Sequence, residues 1–85
     1  MEQPAFKSEL DLPAPSVPQA EAIWVIKDYG GIYHRHAGGS WYPERRACPA
    51  SRQTDRTIKG LIRSGWLTVI QELHDNPVKV RLTFP

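Results

Sequence analysis

Basic residues recur at intervals of three or four in the second half of the chain. They are Arg52, Arg56, Lys59 and Arg63. In a helix, where successive residues turn by about 100°, these four would fall within roughly 60° of one another and form one basic ridge. Arginine on such a ridge could hydrogen-bond guanine in the major groove of DNA, while the other cations contact phosphates. The spacing therefore predicts a nucleic-acid-binding helix.

The residues around this ridge fit the same chemistry. Gln53 would lie beside it, where an amide could read adenine, and Asp55 would lie off its other side. A helix face that serves only solubility usually mixes charges of both signs, and no acid falls within the ridge. A solvated, charged face is nevertheless the commonest role of such a surface, so this plainer interpretation stays open.

Two histidines separated by one residue suggest a metal site. His34 and His36, together with Cys48 or His74, could offer ligands to zinc. A structural zinc site needs four well-spaced ligands, and the chain has no C-x-x-C pair. Alternate residues on one face of a strand explain the pair equally well. We therefore expect no metal and no other cofactor.

Enzymatic chemistry is not indicated by the sequence. Cys48 with either His34 or His36 could form a thiol–imidazole pair, but no third orienting residue and no oxyanion loop can be recognised. The chain also lacks a Walker loop, a dinucleotide fingerprint and a paired-carboxylate motif. We expect a binding protein that is not an enzyme.

The basic ridge requires a helix, which the sequence delimits at about residues 52–64. Ser51 is a good N-cap residue, and Gly65 is typical of the position that follows a helix. The apolar stripe that would face the core consists of Ile58, Leu61 and Ile62. A β-hairpin is predicted next, with strands over 66–73 and 78–84 and a turn at 74–77.

The first half of the chain predicts another helix. Ser16 and Pro18 are typical of a helix start, and Gly30 is typical of a helix end. Within it, residues 23–26 are all apolar and could equally form a buried strand. We favour the helix.

A shorter hairpin is predicted after that helix. Residues 31–36 and 40–42 are rich in aromatic and β-branched types, and they flank a Gly-Gly turn at 37–39. Residues 43–49 would then form a connecting loop. The chain ahead of the first helix, residues 1–17, is rich in proline and acidic residues and predicts an extended or disordered arm.

The sequence therefore divides into the arm, residues 1–17, and one domain, residues 18–85. A second interpretation of the arm is that Phe6 and Leu10 dock on the domain or on a partner. Residues 1–21 carry four acids and one lysine, a net charge of −3, and the remainder carries +5. A basic body of this kind suits a polyanionic partner.

Cellular location follows from three simple features. Cys48 is the sole cysteine and cannot form an internal disulfide, which favours a reducing compartment. No stretch approaches the roughly 20 apolar residues of a membrane span, and the N-terminus does not resemble a secretory signal. We expect a cytoplasmic protein with no membrane contact. A homodimer stays open, because chains this small bury only about 60–65% of their unfolded surface.

The segment SRQTDRTIKGLIRSGWLTV, followed by a strand that ends VRLTF, resembles the recognition helix and wing of winged helix-turn-helix proteins. The positions that match are Thr57, Leu61, Gly65, Leu67, Leu82 and Thr83. The resemblance implies an α+β, winged-helix-like domain. It also implies a DNA-contacting set of Arg52, Gln53, Arg56, Lys59 and Arg63 on the helix, with Lys79 and Arg81 on the wing. The chain departs from the family because residues 44–50 offer no clear second helix to brace the first.

Two functions follow as expectations. The first is a small phage or plasmid regulator of transcription that binds double-stranded DNA. The alternative is a protein-interaction module, such as a phage- or plasmid-type inhibitor or adaptor. A continuous positive surface that joins the helix to Lys79 and Arg81 would favour DNA. A ridge interrupted by Asp55 or Glu44 would favour a protein partner.

Overall fold

The computed structural model describes residues 12–45 and 47–84, which form two helices and five strands. The elements are, in chain order, α1 (Val17–Asp28), β1 (Ile32–Arg35), β2 (Ser40–Pro43), a 3-10 turn (Pro49–Ser51), β3 (Gln53–Thr54), α2 (Asp55–Arg63), β4 (Leu67–Leu73) and β5 (Asn76–Leu82). The chain thus contains both predicted helices and both predicted hairpins, β1–β2 and β4–β5.

All five strands join one antiparallel sheet in the order β3-β2-β1-β5-β4. The two hairpins meet through β1 and β5, where Tyr33 lies opposite Val80. The predicted winged-helix arrangement is therefore wrong. A winged helix surrounds a small wing with several helices, whereas this α+β fold extends its second hairpin into a five-stranded sheet and has no α-helix between β2 and β3 in the described chain.

Both helices pack on the same face of the sheet. Alternation along the strands directs Tyr33, Trp41 and Val80 toward the helices, and all three are fully buried. The remaining members of this core are Ala22, Ile26, Ile58, Leu61, Leu67 and Leu82. One hydrophobic layer therefore holds the helices to the sheet, and the opposite face of the sheet is covered by neither helix.

The start of α2 differs from the prediction. The N-cap is Thr54, whose hydroxyl accepts a hydrogen bond from the Thr57 amide at 3.2 Å. Ser51 was predicted for this role, but it is buried in the 3-10 turn. Its hydroxyl donates to the Cys48 carbonyl at 2.8 Å, and its own carbonyl accepts the Tyr33 phenol at 2.6 Å. Ser51 therefore anchors the loop to the sheet, and α2 begins at Asp55.

The other end of α2 agrees with the prediction. Gly65 has φ of +90°, a left-handed conformation that favours glycine, directly after the helix. The amide of Trp66 then donates to the Leu61 carbonyl at 2.9 Å, which closes the last turn. The chain passes directly from this turn into β4.

Helix α1 is defined by a capping box. The Ser16 hydroxyl accepts from the Gln19 amide, and the Gln19 side chain accepts from the Ser16 amide. The predicted N-cap is confirmed, and the apolar run 23–26 is helical. Just before the helix, the Pro13 carbonyl accepts a hydrogen bond from the Trp66 indole at 3.1 Å. The expectations for Phe6 and Leu10 lie outside the described residues.

Candidate nucleic-acid interface

Three of the four residues of the expected ridge lie on the outer side of α2. Arg56, Lys59 and Arg63 are exposed, and they point away from Ile58 and Leu61, which are buried against the sheet. This separation follows from the helical repeat, because the two groups occupy opposite sides of the helix. We call the three exposed cations the α2 ridge.

Asp55 lies at the base of the α2 ridge and carries a negative charge into it. Its carboxylate is 3.0 Å from the Lys59 ammonium and 3.5 Å from the Arg35 guanidinium, and it accepts the Trp41 indole N–H at 2.9 Å. Burial alone would raise the pKa of Asp55, but the hydrogen bond from Trp41 and the charge of Lys59 outweigh it and lower that pKa. The ridge is therefore partly neutralised.

The first two residues of the expected set lie outside the helix. Arg52 has an extended backbone, and its guanidinium Nε donates to the Ser40 hydroxyl at 2.8 Å. Gln53 belongs to β3, where it lies opposite Trp41. Because Gln53 and Arg52 precede the N-cap, they do not extend the α2 ridge.

The two expected wing residues lie on the other side of the molecule. Val80 is buried beneath the helices, so its neighbours Lys79 and Arg81 point to the opposite face of the sheet. The α2 ridge and the strand cations therefore cannot form one continuous surface. The expected seven residues separate into a helix group and a sheet group.

The sheet face that carries Lys79 and Arg81 brings together residues from four adjacent strands, β2, β1, β5 and β4. His34 of β1 lies directly opposite both Tyr42 and Lys79, and Ile32 lies opposite Arg81. We call this surface the open face. Its strand residues are Ile32, His34, Ser40, Tyr42, Thr68, Lys79 and Arg81. His36 joins it through its ring contact with Tyr42, and Arg52 through its hydrogen bond to Ser40.

Two rings stand together on the open face. The rings of Tyr42 and His36 meet edge to face, with centroids 4.9 Å apart and planes inclined by 72°. His36 is exposed and Tyr42 is half-buried, so part of this ring pair is accessible from solvent. Aromatic rings in such positions can stack on nucleobases.

Glu44 follows β2 and contacts two residues of the open face. Its carboxylate lies 3.5 Å from the Lys79 ammonium and 3.8 Å from Nε2 of His34. The Nε2 atom is itself buried and has no hydrogen-bond partner in the described structure. Arg81 and Arg52 are the cations of the open face that Glu44 does not pair.

Three depressions follow β1 and share lining residues, so they form one groove. The first, of about 310 Å³, is lined by Lys27, Gly30, Gly31, Ile32, Arg81 and Leu82. The second, of about 180 Å³, is lined by Tyr29, Gly30, Ile32, Glu44 and Arg45. The third, of about 530 Å³, is lined by His34, Arg35, His36, Pro43, Glu44 and Ala47. We call this feature the β1 groove.

Sequence reasoning did not find the rings or the groove. His34 and His36 were considered as metal or catalytic residues or as alternate residues on one face of a strand, and Tyr42 only as a strand residue. The alternation of Trp41 inward and Tyr42 outward was a usable signal, but it shows a shared face only once the strand order is known. The described residues contain no group of three or more His, Cys, Asp or Glu side chains that could hold a metal.

Cys48 directly precedes the 3-10 turn in the segment that connects β2 to β3. Its thiol is 3.6 Å from the Tyr29 hydroxyl, and hydrogen bonds from Tyr29 and Ser51 lower its pKa. This hydrogen bond joins the thiol to a phenol, and not to either histidine of the thiol–imidazole pair that was considered from the sequence and set aside.

Within the described residues, no helix has the length and apolar character needed to cross a bilayer. In comparisons with known proteins, no family model, no curated protein and no solved structure matches the chain.

Proposed function

We propose that this protein binds single-stranded nucleic acid on the open face of its sheet. The observation that carries the proposal is the accessible Tyr42–His36 ring pair, which lies one strand away from Lys79 on a face that neither helix covers. Proteins that bind single strands combine rings that stack on bases with cations that follow the backbone. The open face offers both.

Electrostatics supports the same surface. Arg52, Lys79 and Arg81 carry three positive charges toward it, and the carboxylate of Glu44 lies within ion-pair distance of Lys79. Glu44 is half-exposed and its contact with Lys79 is 3.5 Å, so a phosphate can compete for this lysine. The β1 groove gives the single-stranded nucleic acid a path along β1.

A double-stranded target fits the geometry less well. The α2 ridge has three cations, one of which is held by Asp55 at 3.0 Å, and Lys79 and Arg81 point the other way. Duplex recognition by a helix normally needs both base contacts and flanking phosphate contacts on one side. The described chain divides these groups between two faces.

A direct titration tests the proposal. A fluorescent oligothymidylate and a mixed-sequence duplex are each titrated at about 50 mM and 200 mM salt, since counterion release weakens phosphate binding. We expect the single strand to bind more tightly than the duplex and to weaken as salt rises. Tyr42→Leu, which removes the ring but keeps apolar volume, should reduce affinity by roughly 5- to 100-fold, as expected for one stacked base.

Two controls accompany this titration. Tyr42→Phe retains the ring and should bind almost as well as the unmodified protein. An Arg56→Gln, Arg63→Gln double variant removes charge from α2 and should change affinity little. Tighter binding of duplex that depends on Arg56 and Arg63 but not on Tyr42 would contradict the proposal, as would no binding of the single strand at about 50 mM salt.

Binding of a protein partner is a second candidate, and α1 carries the observation that favours it. Trp24 is 67% exposed and Val17 is 73% exposed, and their separation of seven residues puts them on the same side of the helix. Exposed tryptophan is typical of the residues that dominate protein interfaces. A partner identified by cross-linking should be lost in Trp24→Ser, and a partner retained by that variant would argue against this surface.

We propose the cytoplasm as the compartment and a regulatory role in a phage or plasmid as the setting. The thiol of Cys48 supports a reducing environment, because it is free and partly accessible. Regulation remains a prediction from the sequence, and it is compatible with either partner.

A further inference from the structure

The first depression of the β1 groove combines two cations with a glycine turn. It lies where the C-terminal end of α1, the glycine turn and β5 meet, and its volume is about 310 Å³. Two cations, Lys27 and Arg81, line it together with glycine and apolar residues, and no carboxylate is among its lining residues. Lys59 and Lys79, in contrast, are each within ion-pair distance of an acid.

The backbone holds one of these cations in place. The Arg81 guanidinium donates from Nη1 to the Leu82 carbonyl at 3.0 Å, and this hydrogen bond holds one of its two terminal nitrogens in place. The Leu82 amide donates to the Gly31 carbonyl at 2.9 Å, so the glycine turn is fastened to β5. Arg81 still has other N–H groups with which it can bind a ligand.

The glycine turn gives the depression a wall that bears no side chains. Gly30 and Gly31 have φ of +103° and +83°, conformations that glycine adopts without strain. A Cβ atom at Gly30 would meet nothing within 4 Å, and one at Gly31 would reach only the Leu82 side chain at 3.8 Å. A ligand can therefore approach the backbone closely here.

We propose that this depression binds a phosphate monoester. Lys27 and Arg81 together supply two positive charges, which match the charge of about −1.5 to −2 that a monoester carries at neutral pH. A carboxylate would leave one cation uncompensated. Arginine also suits the geometry of phosphate oxygens, which accept two parallel N–H groups.

The proposal rests on, and deepens, the proposed binding of single strands, because the depression opens at Ile32 into the β1 groove. A strand that lies along the groove would place its terminal phosphate between Lys27 and Arg81. The same chemistry could come from a free phosphorylated nucleoside. The experiment therefore contains one arm for each source.

In the first arm, the labelled full chain is titrated with thymidine 5′-monophosphate and followed by amide NMR. We expect saturable shifts at Gly30, Gly31 and Ile32, and no such shifts with thymidine. Lys27→Gln and Arg81→Gln should each remove the saturation, while Arg63→Gln, which removes a cation on α2, should not. Absence of saturable shifts in the unmodified protein would overturn the site.

In the second arm, oligothymidylates with a 5′-phosphate, a 3′-phosphate or no terminal phosphate are compared in affinity. One phosphorylated end should bind roughly tenfold more tightly than the unphosphorylated strand, as expected for one added charge-assisted contact. That preference should vanish in Lys27→Gln and persist in Tyr42→Leu, which weakens all three strands alike. Equal affinity of the three strands would overturn terminal-phosphate binding.

The two arms separate failure of the site from failure of the proposed function. If no oligonucleotide binds but the monophosphate saturates, binding of single strands is wrong, and the phosphate is that of a free nucleotide. If all three strands bind equally and the monophosphate produces no shifts, the site is wrong, and binding on the open face stands.

Discussion

Asp55 connects the outer surface of α2 to the core through one carboxylate. It accepts the indole N–H of the buried Trp41 and contacts the cations of Lys59 and Arg35. It also occupies the first turn of α2, where a negative charge favours the helix dipole. None of these contacts was predicted from the sequence. Trp41 and Arg35 are brought to Asp55 by the pairing of β2 with β3 and β1, whereas Lys59 is its i,i+4 neighbour in the helix.

Asp55→Asn should destabilise the protein by about 1 kcal/mol at pH 7, since it removes the charge while leaving an acceptor for Trp41. The folded pKa of Asp55 lies below its ordinary value of 3.8. Its stabilisation is therefore fully present above that value and is lost as the pH falls through the folded pKa. Urea unfolding of both proteins across pH 2–7 measures this.

The control for this prediction is Glu21→Gln, which changes an exposed carboxylate away from both ends of α1. It should leave the free energy of unfolding almost unchanged at pH 7. A difference between Asp55→Asn and the unmodified protein that grows as the pH falls would contradict the assigned direction of the pKa shift.

Ser51 and Thr54 illustrate what local sequence can and cannot decide at the level of the element. Both are good N-cap residues, and both precede the same apolar stripe. The choice between them depends on Tyr33, whose phenol bonds the Ser51 carbonyl, and on the pairing of Thr54 with Ser40. These contacts are distant in the chain. The end of the helix was predictable, because the left-handed conformation of Gly65 is a local requirement.

The two glycines of the α2 region should respond in opposite directions to alanine. Gly65→Ala forces a left-handed conformation, at φ of +90°, on a residue with a Cβ that would lie 2.7 Å from Leu12. We expect a loss of about 1–2 kcal/mol. Gly60→Ala lies in the helix, with its Cβ 3.4 Å from the movable Gln19 amide, and should gain up to about 1 kcal/mol.

Thermal unfolding followed by circular dichroism compares the two variants with the unmodified chain. The melting temperature should fall for Gly65→Ala and rise or stay constant for Gly60→Ala. A fall of equal size in both would mean that packing against α1 and the arm, rather than backbone conformation, decides the stability of this helix.

The arrangement of the helices and strands in the whole molecule differs from the expectation more than the individual elements do. The helix, the turn at Gly65 and the β4–β5 hairpin were each predicted from local patterns. Their association was not, because the strand order depends on Tyr33 lying opposite Val80, a pairing of residues far apart in the chain. A resemblance carried by the local helix–hairpin unit could not reveal that this unit joins a larger sheet.

The arrangement of the candidate site was likewise not predictable from local sequence patterns. Lys79 and Arg81 were expected to contact DNA from the wing, and alternation in β5 directs both side chains away from the core. Only the strand order of the sheet shows that these two side chains point away from α2 and share a face with Tyr42. The β1 groove could not be predicted, because its lining comes from α1, the glycine turn, β1 and β5. The cations that were expected on one surface therefore lie on two, the α2 ridge and the open face. The Tyr42–His36 ring pair lies on the open face.

Chemical-shift mapping by NMR with an unmodified oligothymidylate tests the use of these two surfaces most directly. Binding on the open face predicts the largest amide shifts at Ile32, His34, Tyr42 and Lys79, with little change over residues 55–63. Shifts confined to residues 55–63, or none at saturating oligonucleotide, would contradict binding of single strands by the sheet.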